Sequence, residues 1–587
     1  RLETLPGGEV VVGSPALVLA RAGLASGRIA LVKGIGGYQL ACRADDSQVV
    51  ARLRGLKGRP TQPFAVMVRD LEVARIVAVL CEADEDLLVS PQAPILLAPQ
   101  RPGTRLATNV APGLSDVGVM LPTTPLHVEL FRDAPYDALV MTSGNARHEP
   151  IARSDQDALG DLSAFADLVL MHDREVVRRV DDSVARAGAG VPYLVRRSRG
   201  YVPDPLPLPC AAPVPVLALG GHLQVTACLG VGSQAILSQH VGDLDTCTAR
   251  DFLEEVAMQL EQFLEARSEL IVVDTHPDYA STWFGEQLAQ QREVPILRIQ
   301  HHLAHAAAVL AEHGAFPRSS GEHVASLVLD GTGFGEDGTT WGCEWLILNG
   351  GLAWGRVATG QALTLVGGER AVREPWRVAS AALMQAGEVD LLSNLRPEWG
   401  PNVEALVPLL TGCDWPRARG AGRLFEAAGA LFGLCAANSW EGEAAARLES
   451  LADSANAEGE PWSDVEAAST TCELPSASLL VTAARRLREG CDPAATALGF
   501  HRTFAALAAE LSVRAFGSET RCVALGGGCL VNRHLRRYLV SEHRSRGLAV
   551  LLPRRVPAGD GGLAYGQAAL AAAALQRKVR PAYTGGV

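Results

Sequence analysis

Short apolar runs, each closed by glycine or a polar turn, set the rhythm of the first third of the chain. Ile29–Lys33, Tyr38–Cys42, Phe64–Val68, Ala93–Leu97, Val117–Leu121 and Leu139–Asn145 read as strands, Phe64–Val68 a buried one. Asp46 opens a helix that runs to about Leu56, and Pro125 opens another. A proline-rich stretch, residues 204–215, reads as a stiff, semi-extended connector. Beyond it come a strand at Val216–Leu219, a turn at Gly220–Gly221, and two strands at Val225–Leu229 and Ala235–Leu237. Ile271–Val273 is a strand ending at Asp274, and Val294–Gln300 is a strand entering an alanine-rich helix that Gly314 stops. Ala325–Asp330 is a strand followed by a loop, Gly331–Gly335. Helical spacing marks Gly422–Ala430 and Trp440–Leu448, and residues 378–420 and 454–490 read as helical packing around them. Val523–Gly528 is a strand entering a glycine loop, with Asn532 just inside the next helix. The pattern is α/β throughout.

Composition narrows the class. A chain of 587 residues with 48% hydrophobic and 20% charged positions has room for two or three domains with true cores. A net charge of −12 argues against a general grip on nucleic acid. Lysine occurs only at Lys33, Lys57 and Lys578, so the first two stand out. The 12 cysteines form no C-x-x-C pair, which removes zinc-ribbon spacing and gives no secreted disulfide framework. No signal peptide and no long apolar span is read, so the expected setting is cytoplasmic, without a membrane partner.

Candidate chemistry follows. His301 and His305 share one helix face if the helix begins near His301, and a single metal can bridge such a pair. Asp330 at a strand end and Asp560 in a turn opening a helix add two carboxylates. Two His and two Asp suit iron or zinc. A His pair at this spacing is common without any metal, so the surroundings decide. In the first part, Lys33 precedes a glycine turn, and Lys57 and Arg59 can face phosphates. Thr142, Ser143 and Asn145 can hold a nucleotide or acyl-phosphate oxygen, though a structural turn explains them equally. Arg196, Arg197 and Arg199 lie within four residues, and guanidinium forks match paired phosphate oxygens.

The ordered set His301-His-Leu-Ala-His305, Leu329-Asp-Gly-Thr-Gly333, Lys33-Gly-Ile-Gly-Gly37, Met141-Thr-Ser-Gly-Asn145, Arg196-Arg-Ser-Arg-Gly-Tyr-Val-Pro203, Ser238-Gln-His-Val-Gly-Asp-Leu244 and Gly526-Gly-Gly528 resembles the hydrogenase-maturation carbamoyltransferase family (HypF). The resemblance implies a YrdC-like twisted-sheet α/β domain over residues 15–203 and a linker over 204–215. It implies a two-lobed actin- or sugar-kinase-like (TsaD-like) ATPase domain over residues 216–575. It implies ATP with Mg2+, a carbamoyl group from carbamoyl phosphate or carbamate, and a carbamoyl-adenylate intermediate. By resemblance Lys33, Lys57, Arg59, Arg196 and Arg199 are catalytic. Thr142, Ser143, Asn145, Ser198, Glu426, Glu443, Gly526, Gly527, Gly528 and Asn532 bind nucleotide, and His301, His305, Asp330 and Asp560 bind the metal. The implied acceptor is the C-terminal cysteine of the protein HypE. The family's acylphosphatase and zinc-binding segments, expected upstream, are not read in these residues.

The sequence departs from the family pattern at several places. Gln39, Arg43 and Gln62 replace His, Asp and Lys, and Glu369 and Glu426 lengthen aspartates. The loop Gly220–Thr226 loses an amine and an amide. A small-molecule O- or N-carbamoyltransferase, a tRNA-modifying fusion and an inactive scaffold are the competing expectations.

Overall fold

The computed structural model describes residues 1–187, 191–456, 460–465 and 472–586. The chain forms two compact units, and the division between them is not a single cut. The first comprises Arg1–Asp204, Leu223–Val225 and Ser238–Val256; the second comprises Pro205–His222, Thr226–Leu237 and the remainder. The motif Ser238–Leu244 therefore folds with the first unit. Glu255 fixes its segment there by pairing with Arg153 and Arg179 at 2.5 and 3.2 Å, and Gln239 donates to the Arg179 carbonyl at 3.2 Å.

An eleven-stranded mixed sheet carries the first unit. At its centre Tyr38–Arg43 pairs antiparallel with both Ala30–Lys33 and Ala138–Ser143, which in turn pairs with Ala65–Val68. Alternation sends Leu31, Leu40, Val66 and Val140 into one core and Val32, Ala41, Met67 and Met141 into another. Both faces are buried, which is why these strands read as continuous apolar runs.

The second unit holds a four-stranded sheet in the order Cys228–Leu237, Leu206–Ala218, Leu270–Asp274, Ile296–Ile299, and a nine-stranded sheet. The expected connector over 204–215 is instead most of the strand Leu206–Ala218. Leu206, Leu208, Ala212 and Val216 of that strand are buried, and this apolar set outweighs the prolines between them. The ladder slips between Pro207 and Ala212 and again before Val216, which accommodates residues that lack an amide donor. Its partner is one strand, Cys228–Leu237, where two had been expected.

Two further expectations change. The strand His323–Phe334 continues through the glycines after Asp330, which had read as a loop. Its register jumps from Leu329↔Cys343 to Gly333↔Trp341, so residues 330–332 bulge out opposite Gly342. Of residues 454–490, part lies outside the described residues, and the helix there spans Ser476–Arg488.

The helices His301–Glu312 and Leu563–Arg577 pack against each other. Alanine on every side suits them to burial all round. Contact is closest at Gly566, where a Cβ would lie 1.9 Å from the Ala304 carbonyl oxygen.

Candidate functional sites

In the second unit, Gln300 caps the helix His301–Glu312 by accepting from the Leu303 amide at 2.9 Å. The helix therefore starts at His301, and His305 falls one turn later on the same face. The bulge brings Asp330 to this face, and the 3-10 turn Asp560–Gly562 brings Asp560. One donor atom from each of His301, His305, Asp330 and Asp560 lies within 4.8 Å of the others. His301 Nε2 is 3.3 Å from Asp330 Oδ2 and 3.6 Å from Asp560 Oδ1; His305 Nε2 is 3.4 Å from each.

Burial pushes the His301 imidazole down, but the Asp560, Asp274 and Asp330 carboxylates outweigh it and hold its pKa well above the ordinary value. Burial likewise opposes ionisation of Asp330, and the two imidazoles hold its carboxyl well below the usual range.

These residues fit a divalent ion. His305 Nε2 is buried and finds no hydrogen-bond partner although it faces two carboxylates. Glycine keeps the surroundings open. A Cβ on Gly221 would come within 3.4 Å of Asp560 Oδ2, and one on Gly528 within 3.1 Å of Asp330 Oδ1. Two imidazole nitrogens and two carboxylates form the donor set.

Asp274, expected only to end a strand, belongs here too. It is fully buried, and its Oδ2 lies 2.8 Å from His301 Nδ1, the ring nitrogen that faces away from the cluster. An acidic residue ending a strand beside the His helix was the available signal.

The predicted nucleotide residues of this unit sit less freely. Glu426 bonds Arg423 at 2.5 Å and Asn438 at 2.9 Å. Glu443 accepts from the Ser439 amide and hydroxyl at 2.7 and 2.9 Å and pairs with Arg447 at 2.7 Å. Both are buried rather than exposed helix acids. Gly526 ends its strand, Gly527 donates to Ala558 O at 3.1 Å, and Gly528 donates to Asp330 Oδ1 at 3.2 Å. Asn532 is the cap of the following helix rather than a member of it: Oδ1 accepts from Leu535 N, and Nδ2 meets His501.

In the first unit the geometry separates the predicted basic residues. Lys33 Nζ bonds Asp155 at 2.6 Å and the His172 carbonyl at 3.1 Å. Arg199 pairs with Asp182 at 2.7 Å and donates to the Ala93 and Gln92 carbonyls. Lys57 Nζ meets Ser143 O, Asn145 O and Asn145 Oδ1 at 2.6 to 2.8 Å, so it ties the end of the strand Ala138–Ser143 to its own helix. Burial and Arg59 push Lys57 down to about 6. Ser143 Oγ bonds Asn145 Oδ1, and Ser198 is buried with its amide on Ser183 Oγ. Arg59 has a single long contact, 3.4 Å to Thr142 Oγ1. Arg196 makes no hydrogen bond or ion pair among the described residues. Burial and then Arg196 hold the Arg59 pKa down, which marks the two guanidiniums as neighbours, with Asp181 beside both. Of the predicted residues, Arg59, Arg196 and Thr142 have the fewest side-chain partners among the described residues.

Three family models match: telomere recombination (Sua5, YciO and YrdC) at residues 22–198, the HypF Kae1-like domain at 211–312, and the carbamoyltransferase Kae1-like domain, second subdomain, at 326–567. The carbamoyltransferase HypF of Rhizobium leguminosarum bv. viciae is 41% identical over 557 residues, covering 93% of this chain and 71% of that protein. The chain belongs to the HypF carbamoyltransferase family. HypF of Rhodobacter capsulatus is 40% identical, over 98% of this chain and 75% of that protein. Among solved structures, full-length HypF in a phosphate- and nucleotide-bound form superposes with TM-score 0.89 at 31% identity, covering 98% of this chain and 74% of that one. T. kodakarensis HypF superposes with TM-score 0.92 at 29% identity, covering 99% and 76%. The chain is accordingly a carbamoyltransferase with a YrdC-like and a Kae1-like part, as the HypF resemblance had implied. Among the described residues no helix is long and apolar enough to cross a membrane.

Proposed function

We propose that this HypF chain makes carbamoyl-adenylate in its first unit and transfers the carbamoyl group in its second to the C-terminal cysteine thiol of HypE, for the cyanide ligand of a nickel–iron hydrogenase. In the first step carbamoyl phosphate loses its phosphate to water, giving carbamate; a carbamate oxygen then attacks the α-phosphorus of ATP, which is bound with Mg2+, and pyrophosphate leaves. In the second, the thiolate attacks the carbamoyl carbon, the C–O bond to AMP breaks, and AMP carries off the electron pair. The thiol proton goes to solvent or to a neighbouring base.

Arg59 and Arg196 suit the first step. Two neighbouring guanidiniums with Asp181 beside them and few hydrogen bonds among the described residues offer donors to the phosphates and to the departing pyrophosphate. Lys57 keeps Asn145 and Ser143 in place behind them. For the second step, His301, His305, Asp330 and Asp560 would hold one iron or zinc ion. A divalent ion there supplies Lewis-acid polarisation of the acyl carbonyl. Asp274 orients the His301 ring, and the buried walls limit competing water.

The observation that carries this reading is the closure of four donors from three separate segments around one buried point. The nucleotide- and phosphate-bound form of a relative supports the nucleotide part. The test is carbamoyl-phosphate-dependent ATP–pyrophosphate exchange by the full chain, followed by transfer to HypE with or without its terminal cysteine. Exchange and cysteine-dependent labelling are expected. Labelling of HypE lacking that cysteine, or of a small-molecule hydroxyl in its place, would overturn the acceptor assignment.

A further inference from the structure

Arg423 is an unusual buried cation. It lies on the helix Ala421–Leu431 with a fractional exposure of 7%. Nη1 bonds Glu426 Oε2 at 2.5 Å and reaches the Val372 carbonyl at 3.4 Å. Nε is buried and finds no partner. Nη2 points to Gly331, the residue after Asp330: it would lie 3.4 Å from a Gly331 Cβ. The same helix begins at Gly420 without a side-chain cap, and its first turn lies on Gly331, where a Cβ on Gly422 would be 2.8 Å from Gly331 Cα. A desolvated guanidinium whose Nε has no partner among the described residues and whose Nη2 lies over bare glycine backbone has donors to offer an anion.

Glu426 does not compete for that role, because both its oxygens are engaged, Oε1 by Asn438 at 2.9 Å. Its extra methylene over the family's aspartate lets it reach Arg423 one turn back.

We propose that Arg423 is a phosphate ligand of the second unit, braced by Glu426 and Asn438, and that it takes the phosphate of an adenylate. This rests on the reading that the second unit receives carbamoyl-adenylate. Glu426 then acts as a positioning residue, one step removed from the nucleotide.

The experiment uses the full, metal-loaded chain carrying Arg59→Ala and Arg196→Ala, which removes the basic pair of the first unit. AMP and adenosine are titrated by calorimetry. AMP is expected to bind more tightly than adenosine. Arg423→Met should weaken AMP about tenfold, the scale of a lost charge-assisted pair, and leave adenosine unchanged. Arg423→Lys should recover part of the loss, and Glu426→Gln should lower AMP affinity less than Arg423→Met does. In the otherwise unmodified chain, Glu426→Gln should raise the KM for nucleotide more than it lowers kcat. Bound-metal content and Tm check folding, and if Arg423→Met does not fold, Arg423→Lys is read alone. Unchanged AMP affinity, or equal loss for AMP and adenosine, overturns the assignment while the nucleotide reading stands. A parent chain that binds neither ligand overturns both.

Discussion

Asp274 Oδ2 lies 2.8 Å from His301 Nδ1, both side chains fully buried, on the far side of the ring from Asp330 and Asp560. This contact fixes which nitrogen of His301 faces the cluster. Asp274→Ala should lower metal affinity by about 10- to 100-fold, as loss of an outer carboxylate partner does elsewhere. Metal titration with a competing chelator checks this. Affinity within twofold of the parent would leave Asp274 a packing residue only.

The two units should lose function separately. His305→Ala removes a buried donor and should reduce bound metal and carbamoyl transfer, with carbamoyl-dependent pyrophosphate exchange kept. Arg59→Ala should do the reverse, lowering exchange by about 100-fold, near the cost of one preorganised electrostatic donor. Metal analysis and exchange on both variants decide it. Loss of exchange in His305→Ala would show that the first reaction depends on the second unit.

Much of this was legible in the sequence because the signals were local. The strand ending before His301, the glycine beyond the helix, and the apolar strand runs each act within a few residues, and the structure follows them. What the sequence hid was non-local. Residues 204–215 read as a connector because their prolines are visible, whereas the buried partners that make most of them a strand lie elsewhere. The contacts of Asn532 with Leu535 and of Glu426 with Asn438 were equally hidden, because they depend on the folded chain. The partners of Arg199 and Lys33, Asp182 and Asp155, were hidden for the same reason, since they are distant or unremarkable in sequence.

Stability should carry a pH signature from Glu344. Burial drives its carboxyl up from 4.5 to about 7, against the pull of Arg356. The folded chain then holds this proton more tightly than the unfolded one. The stabilisation is complete below pH 4.5 and is lost as pH rises toward 7. A shift of this size corresponds to about 3 kcal/mol. Urea unfolding of the parent should weaken over that window, and Glu344→Gln should remove that share of the slope. Parallel curves for the two proteins would rule it out.

Gly566 links packing to the metal cluster. It sits in the helix that follows Asp560 and faces Ala304, the residue before His305, with no room for a side chain: a Cβ would be 1.9 Å from the Ala304 carbonyl oxygen. Gly566→Ala must therefore push apart the helix bearing both histidines and the turn bearing Asp560. Alanine's better helix propensity, worth about 1 kcal/mol, acts in the opposite direction. Overpacking of a close-packed contact costs about 1–3 kcal/mol and wins here, because the clash is with backbone rather than a movable side chain. The variant should lose Tm and, at temperatures where it remains folded, bind metal more weakly than the parent. Ala308→Gly, on the same buried helix but one turn beyond His305, separates the two effects: it should lower Tm through propensity and lost packing, yet leave metal affinity near that of the parent. If both variants lose stability and neither loses metal affinity, the helix contact supports the fold without setting the donor geometry.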